Sequence, residues 1–287
     1  MSELPVAIHR FQSLNSGPAL LVFGAIHGNE VCGTHASERI MRSLGSGKLT
    51  LERGSVTFVP IANPRAYLKG VRCVEENLNR IFRPQRRPVS YEAQLANALC
   101  PLVDSCDALL DVHTTTAEGR PFIYLDYPTK ANRALAEALG PGAAITGWPE
   151  LYAKLGRSDT ALGTTDYAAQ CGKDTVLIEC GQHRSPKAEG IAHRAILNAM
   201  RHYGLIAGKV RSSPMKTIRM TDGYFRAHAA DCLAKNWKHL DRIKKGHPMI
   251  QHSDGRVTYA PRDAVIIMPK ATAPVGDDWL HLGVEKL

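Results

Sequence analysis

The sequence between residues 18 and 210 alternates short apolar runs with segments of helical character, and this alternation constrains the fold more than any other feature. Short apolar runs are typical of buried strands. Strands that alternate with helices favour an α/β domain, in which helices flank a mixed, largely parallel sheet. The predicted strands are Ala19–Phe23, Ser55–Ile61, Ala108–His113, Pro121–Tyr124 and Thr175–Glu179. The predicted helices lie near Glu30–Leu44, Tyr91–Val103, Lys130–Leu139, Thr164–Cys171 and Lys187–Tyr203.

From about Val210 the sequence changes character, because glycine and proline interrupt much shorter runs. This pattern predicts hairpins in a small all-β domain. We therefore expect a catalytic α/β domain over residues 1–209 and a small, barrel-sandwich-like β domain over residues 210–287. Biotinyl and lipoyl carrier domains share such a pattern, but they need a modified lysine at a hairpin tip. The Met215-Lys216 pair precedes the hairpins, which favours a structural or pocket-closing role.

The composition is that of an ordinary globular protein, with 44% hydrophobic and 22% charged residues among 287. The apolar stretches are far shorter than the roughly 20 residues that cross a bilayer. The opening MSELPVAIHRF lacks the basic and apolar regions of a secretion signal. Seven scattered cysteines without a C-x-x-C pair suit free thiols in a reducing compartment. We expect a cytoplasmic protein that does not contact membranes.

The formal net charge of +9 predicts an anionic partner. Nucleic acid is disfavoured, because aromatic residues make up only 6% of the chain and no basic stripe is interleaved with them. We expect a small acidic substrate instead. The sequence does not set the oligomeric state, and a homo-oligomer is compatible with it.

Histidine and glutamate side chains follow two of the predicted strands. The segment Gly24–Glu30 (GAIHGNE) contains His27 and Glu30, and Asp111–Thr116 (DVHTTT) contains His113. Two histidines and one carboxylate are a set with which zinc keeps a position open for water or substrate. An H-x-x-E pair at the start of a helix presents both side chains on one face. These residues predict a hydrolytic zinc centre. The alternative is that the histidines are hydrogen-bonded residues at the rim of the core.

The segment Asn63–Phe82 follows a strand and lacks helical periodicity, so it is predicted to be a long loop. Long loops in compact domains are usually functional. Its polar side chains suit a carboxylate, or a carbonyl oxygen that gains charge. They are Asn63, Arg65, Arg72, Asn79 and Arg80. The alternative is a solvated basic loop.

Glu179 ends a very apolar predicted strand. A carboxylate in such a place is costly unless it has a partner or a function. Near a metal, burial suits it to carrying a proton. The alternative is a structural glutamate paired with an arginine or lysine.

Six segments, in chain order, resemble the succinylglutamate desuccinylase/aspartoacylase family, a branch of the zinc carboxypeptidase-like fold. They are H-G-N-E, N-P-R-A, G-x-R, N-L-N-R-I-F, D-x-H-T-T and I-E-x-G, and they span about residues 20–185. Each motif alone is loose, but six in order are specific, and the small C-terminal β domain agrees with the family. The resemblance implies a zinc-dependent deacylase with one zinc ion per chain and a small anionic N-acylated substrate.

The resemblance also implies roles in the reaction. His27, Glu30 and His113 would bind the zinc ion. Glu179 would be the general base that activates the attacking water and later protonates the leaving amine. Arg72, in the G-x-R motif, would polarise the scissile carbonyl.

The remaining matches imply contacts with the substrate. Asn79 and Arg80 would hold a substrate carboxylate, and Asn63 would line the pocket. Asn77 departs from the family, whose motif has an acidic residue there, although nearby Glu75 and Glu76 are candidates to replace it.

A second departure concerns the stretch before the catalytic glutamate. Residues 164–170 (TTDYAAQ) lack the arginine with which aspartoacylase holds its substrate. The sequence therefore supports neither N-acetylaspartate nor N-succinylglutamate as the specific substrate.

The predicted activity is hydrolysis of the amide bond in an N-acyl amino acid or a related small N-acyl amine. One alternative is a metallocarboxypeptidase that acts on small peptides, since it shares the fold and the zinc chemistry. Another is a catalytically silent metal- or metabolite-binding protein. The presence of Glu179 and Arg72 beside the three ligands argues against a silent protein. The acyl group and the amine are not defined by the sequence.

Overall fold

A computed structural model describes residues 5–156 and 162–286, and one long sheet forms its centre. The strands are β1 (His9–Gln12), β2 (Ala19–Gly24), β3 (Ser55–Val59), β4 (Ala108–Thr115), β5 (Phe122–Tyr124), β6 (Ala143–Thr146), β7 (Asp174–Gln182), β8 (Lys216–Phe225), β9 (Cys232–Leu233), β10 (Arg242–Ile243), β11 (Pro248–Gln251), β12 (Val257–Tyr259), β13 (Ala264–Ile267) and β14 (Asp278–Glu285). The helices are α1 (Cys32–Gly45), α2 (Pro64–Lys69), α3 (Tyr91–Asp104), α4 (Lys130–Leu139), α5 (Trp148–Lys154), α6 (Thr164–Gln170) and α7 (Ala188–His202), with a 3₁₀ turn at Leu78–Arg80.

The main sheet has eleven strands in the order β1-β3-β2-β4-β7-β5-β6-β8-β14-β13-β10. The run β3-β2-β4-β7 is parallel, so the carboxyl ends of these strands lie at one edge. Strand β5 joins β7 in antiparallel orientation, and β6 and β8 continue in parallel from it. This mixed sheet, flanked by helices, confirms the predicted fold class.

Strand β2 shows how the sequence produces the layers. Leu20 and Val22 pack with α1, α4 and α7 on one face of the sheet, whereas Leu21 and Phe23 pack with α3 and α6 on the other. Successive side chains of a strand point to opposite faces, so a strand covered on both sides must be apolar throughout. Burying each such side chain contributes roughly 1.5–3 kcal/mol.

The predicted strands and helices all overlap observed elements, with ends that differ by up to three residues. The prediction of a continuous loop at Asn63–Phe82 was wrong in part, because α2 occupies Pro64–Lys69. This helix starts where the Asn63 side chain accepts a hydrogen bond from the Ala66 amide, and it ends at Gly70, where φ is +61°. Six residues make too few turns to show a helical period. Strands β1 and β6 and helix α5 were not predicted.

The chain after residue 210 continues the main sheet. Strand β8 lies beside β6, with Lys216 opposite Ala143, and β14, β13 and β10 follow. Strands β9, β11 and β12 form a separate three-stranded sheet. Ile145 and Ile218 share one apolar cluster, so the two parts of the chain pack together. The predicted boundary between residues 209 and 210 remains a prediction.

In the described part of the chain, no helix combines the length and the apolar character that a membrane span requires.

Candidate metal centre and active site

The candidate metal ligands lie where β2 and β4 end at the shared edge of the sheet. His27 and Glu30 occupy the turn between β2 and α1, in which the Glu30 amide donates to the His27 carbonyl at 3.0 Å. The helix begins only at Cys32, so both residues of the H-x-x-E pair precede it, whereas the sequence predicts a helix that begins near Glu30, with the pair at its start. The turn nevertheless brings the two side chains within hydrogen-bond distance of each other.

Gly28 makes this turn compatible with its neighbour α2. Its amide donates to the Arg72 carbonyl at 3.2 Å. A Cβ atom at position 28 would lie 2.1 Å from the carbonyl carbon of Ala66. Only glycine therefore allows the His27–Glu30 turn to lie this close to α2.

Glu30 joins the two histidines. Its carboxylate lies 2.9 Å from His27 Nδ1 through Oε1 and 2.9 Å from His113 Nδ1 through Oε2. The amide of Thr114 donates to Oε2 at 2.9 Å, and Arg72 Nη1 donates to Oε1 at 3.1 Å. Burial alone would raise the pKa of Glu30, but the two histidines hold it well below its ordinary value. The carboxylate is therefore ionised and fixed in place.

The outer nitrogen of each histidine also faces an oxygen atom. His27 Nε2 lies 3.1 Å from Asn77 Oδ1, and His113 Nε2 lies 2.8 Å from Asp111 Oδ2, although the latter contact is not aligned as a hydrogen bond. Oxygen partners of this kind orient metal-binding histidines. Asn77, which replaces the acidic residue expected by resemblance, thus contacts a candidate ligand.

The residues fit a divalent metal ion. Ligand atoms of His27, Glu30 and His113 all lie within 4.8 Å of one another, and all three side chains are buried. Burial lowers the pKa of His27 to about 4, so its imidazole is neutral and able to donate a lone pair. Two imidazole nitrogens and a carboxylate form a set suited to zinc.

Glu179 faces this cluster from the neighbouring strand β7. It is in register with His113 on β4, and its side chain is only 6% exposed. Its Oε2 atom has no hydrogen-bond partner among the described residues. Burial, together with the charge of Glu30, raises its pKa to about 8. A buried carboxyl group with a free oxygen and a pKa near neutrality is suited to exchanging a proton.

The loop that bears Arg72 is held by a buried carboxylate that sequence analysis missed. Glu92, on the first turn of α3, accepts hydrogen bonds from the amides of Val74, Glu75 and Glu76 at 2.7–3.1 Å. It also accepts from Asn63 Nδ2 at 3.1 Å. The sequence signal was weak, because an acidic residue in the first turn of a helix is common.

Asn63 does not line the cavity, and Glu75 and Glu76 do not pair with the loop arginines. Asn63 is fully buried, serves α2 and Glu92, and is not among the residues that line the cavity. Glu75 accepts from the Tyr91 amide, and Glu76 accepts from the Ser90 hydroxyl. Neither glutamate forms an ion pair with a loop arginine among the described residues. The suggestion that they replace the acid at position 77 was wrong.

A cavity of about 280 Å³ opens over the ligand cluster. Arg72, Asn79 and Arg80 line it, as do His27, Glu30, His113 and Glu179. Arg80 donates to the Asn79 carbonyl at 2.7 Å, and its guanidinium lies 5.8 Å from the centre of the Trp148 ring. It has no acidic partner within 4.0 Å in residues 5–156 and 162–286. Asn79 is less free, because its side-chain oxygen accepts from the Thr164 amide at 2.9 Å.

The individual residues of the remaining cavity wall were not predicted, although the sequence favours a structural or pocket-closing role for the C-terminal region. Trp148 and Tyr152 stack on each other, with ring centres 4.6 Å apart, and the Tyr152 hydroxyl donates to Asp278. The C-terminal segment contributes Asp278, Lys270 and Met268 to the wall. The spacing of Trp148 and Tyr152 by one helical turn was the one local signal. The contribution of β14 depends on the packing of the whole sheet.

Comparison with known proteins agrees with this architecture. The model of the succinylglutamate desuccinylase/aspartoacylase catalytic domain matches residues 16–203. The succinylglutamate desuccinylase of Shewanella sp. (strain W3-18-1) is 26% identical over 182 residues, which cover 58% of this chain and 52% of that protein. The matched part thus spans about half the length of that relative.

Two further proteins extend the comparison beyond the catalytic domain. The aspartoacylase of Danio rerio is 28% identical over 287 residues, covering 85% of this chain and 83% of that protein. The crystal structure of a succinylglutamate desuccinylase/aspartoacylase from Rhodobacter sphaeroides superposes with a TM-score of 0.79 at 19% identity, covering 98% of this chain and 90% of the other. The family model covers well over half of the sequence, and the chain therefore belongs to the succinylglutamate desuccinylase/aspartoacylase family.

Proposed function

We propose that this protein is a zinc-dependent hydrolase that cleaves the amide bond of an N-acyl amino acid or a related small N-acyl amine. The observation that carries the proposal is the buried set of His27, Glu30 and His113 with Glu179 in register beside it. The names of the relatives, a desuccinylase and an aspartoacylase, support the class of reaction.

The proposed ligands are the three side chains of the cluster, with one ion per chain. Bound there, zinc supplies Lewis-acid chemistry, because it polarises a carbonyl and makes water a nucleophile near neutral pH. Glu30 is ionised and hydrogen-bonded on both oxygens, which keeps the set aligned. An ion there would replace the short contacts between Glu30 and the two histidines.

Glu179 carries the proton in the proposed reaction. It takes a proton from the attacking water and delivers it to the nitrogen of the leaving amine. Its free Oε2 atom and its raised pKa suit both steps. A base works best when its pKa is near the working pH. A bound dication nearby would lower this pKa below the metal-free value of about 8.

In this proposal, two arginines bind different groups of the substrate. Arg72, which reaches Glu30 and is about half exposed, donates to the carbonyl oxygen as charge develops on it. Such a donor contributes roughly 3 kcal/mol to the transition state. Arg80, which has no acidic partner among the described residues, binds a carboxylate of the substrate with help from Asn79.

The test is an activity screen of the zinc-loaded protein against N-acetyl, N-succinyl and N-formyl amino acids. We expect hydrolysis of at least one class, its loss on treatment with a chelator, and its return on addition of zinc. Small peptides with a free carboxyl terminus form the comparison arm. Faster cleavage of peptides would favour a metallocarboxypeptidase, and no hydrolysis in either arm would favour a protein that only binds.

A further inference from the structure

His183 lines the same cavity but lies outside the candidate ligand cluster. Strands β4 and β7 extend beyond His113 and Glu179, so that Thr115 pairs with Gln182. The His183 amide then donates to the Thr115 carbonyl at 3.0 Å. This geometry fixes the backbone of His183 at the edge of the cavity.

The imidazole of His183 is paired with a buried hydroxyl. Its Nδ1 atom lies 2.8 Å from Thr114 Oγ1, and Thr114 is only 2% exposed. His183 Nδ1 is the one hydrogen-bond partner of this hydroxyl in the described part of the chain. A buried hydroxyl that fails to donate is costly, so the Thr114 hydroxyl donates and Nδ1 accepts.

This pairing decides where the ring proton lies. Burial lowers the pKa of His183, so its imidazole is neutral near pH 7. A neutral imidazole has one N–H group, and with Nδ1 as the acceptor that group is on Nε2. Nε2 has no hydrogen-bond partner among residues 5–156 and 162–286. The protein thus presents a fixed, unused donor at the cavity wall.

We propose that His183 Nε2–H donates a hydrogen bond to an oxygen of the substrate's acyl group, with Thr114 as its positioning residue. The pair would select acyl chains with a terminal carboxylate over plain alkyl chains. This inference rests on the proposed function, in which Arg80 holds the amino-acid carboxylate. Arg80 lies against the Trp148 ring, whereas Thr114 holds His183 where β4 and β7 end, so the two side chains occupy different parts of the cavity wall. We therefore assign the amino-acid carboxylate to Arg80 and the acyl chain to His183.

The kinetic test compares N-succinyl and N-butyryl derivatives of the same amino acid. The two acyl chains have four carbons each and differ in the terminal carboxylate. His183→Leu should lower the ratio of kcat/KM for succinyl over butyryl by about tenfold or more, since a hydrogen bond to a charged group is lost. His183→Gln retains an N–H donor and should recover part of the ratio. His9→Leu, at an exposed position on β1, is the matched control and should leave the ratio as it is in the parent.

Thr114 is tested through the same ratio. Thr114→Val removes the hydroxyl but keeps the amide that donates to Glu30, and it should lower the ratio, whereas Thr114→Ser should preserve it. Zinc content is measured in both variants because His113 is adjacent. An unchanged ratio in His183→Leu, or an equal loss on both substrates, would overturn the assignment.

A measurement independent of hydrolysis separates this inference from the proposed function. Nitrogen-15 NMR of histidine-labelled, zinc-loaded protein should show the proton of His183 on Nε2, and Thr114→Val should redistribute it between the two nitrogens. Sodium succinamate should shift the His183 signal more than butyramide does, because these two amides differ only in the terminal carboxylate of the acyl chain. A proton on Nδ1, or equal shifts from both compounds, would refute the inference. If neither substrate is hydrolysed, the proposed function fails, and the NMR result still decides the role of His183.

Discussion

The cavity has two sides whose charges are balanced differently. The ligand side is formed by the candidate metal ligands with Glu179 and Arg72, and the substrate side by Arg80, Asn79 and Lys270. On the ligand side, Glu30 is hydrogen-bonded by both histidines, by Arg72 and by a backbone amide. On the substrate side, Arg80 and Lys270 line the cavity without an acidic partner within 4.0 Å in the described residues. The Glu30 carboxylate is hydrogen-bonded on both oxygens and is therefore held in place without a metal ion. Partly buried cations that lack partners depend on solvent or on a ligand for compensation. From this difference we predict that substitutions on the ligand side change metal affinity and kcat, and that substitutions on the substrate side change mainly KM.

The largest effect is expected from His113→Ala, which removes one of the three proposed metal ligands. Loss of an outer partner alone lowers metal affinity by roughly 10–100-fold, so loss of a ligand should lower it by more than about a hundredfold. Equilibrium dialysis against zinc measures this. His35→Ala, an exposed histidine on α1, is the control and should bind zinc as the parent does. Undiminished stoichiometric zinc in His113→Ala would remove this residue from the site.

The next effect separates chemistry from metal binding. Glu179→Gln keeps the shape of the side chain but removes the proton acceptor. We expect zinc to be retained and kcat to fall by at least about a hundredfold, the lower end of general acid–base effects. Metal analysis and steady-state kinetics on one preparation give both numbers. A kcat within a few-fold of the parent would mean that Glu179 is structural.

Arg72 should behave as part of the chemistry although it is half exposed. Charge on the carbonyl oxygen develops only in the transition state, so Arg72→Ala should lower kcat by roughly a hundredfold and change KM less. Arg72 also donates to Glu30, so the zinc content of the variant must be measured alongside. A loss seen only in KM would place Arg72 in substrate binding.

Arg80 should show the opposite pattern. A substrate carboxylate carries its charge throughout the reaction, so Arg80→Ala should raise KM by about tenfold with a smaller effect on kcat. Arg80→Lys should recover only part of the loss, because an ammonium group cannot make a two-pronged contact. Arg83→Ala, at an exposed position nearby, is the matched control. Unchanged KM in Arg80→Ala would contradict the carboxylate contact.

The smallest effect concerns the stability of the metal-free protein. The pKa of Glu179 is raised from 4.5 to about 8, so the folded state holds its proton more tightly than the unfolded state does. The native protein therefore loses stability as pH rises through this window. The amide of Glu179→Gln does not titrate. The melting temperature of this variant minus that of the parent should therefore increase by about 3 °C or more as the pH is raised from 5 to 8. A difference that does not change with pH would argue against the raised pKa.

The contrast between the ligand side and the substrate side also explains which residues of the cavity could be predicted from the sequence. His27, Glu30, His113 and Glu179 follow or end apolar runs, and parallel strands bring their carboxyl ends together, so local motifs sufficed to predict that these side chains lie close together. Helix α2 was missed because it is only six residues long.

The substrate side was harder to predict from the sequence. Lys270 and Asp278 reach the cavity only because β14 joins the main sheet through β8. The pairing of His183 with Thr114 depends on strands that extend beyond their predicted ends. Such contacts depend on tertiary register, which a local pattern does not encode.

The most direct test of the central claim is anomalous diffraction at the zinc edge from crystals of the zinc-loaded protein. The account predicts one peak per chain, about 2.0–2.2 Å from one nitrogen of His27, one nitrogen of His113 and an oxygen of Glu30, with Glu179 close by but not bound. The short contacts between Glu30 and the histidines should be replaced by bonds to the ion. A peak that lies away from these three side chains, or that includes Glu179 as a ligand in place of one of them, would contradict the account.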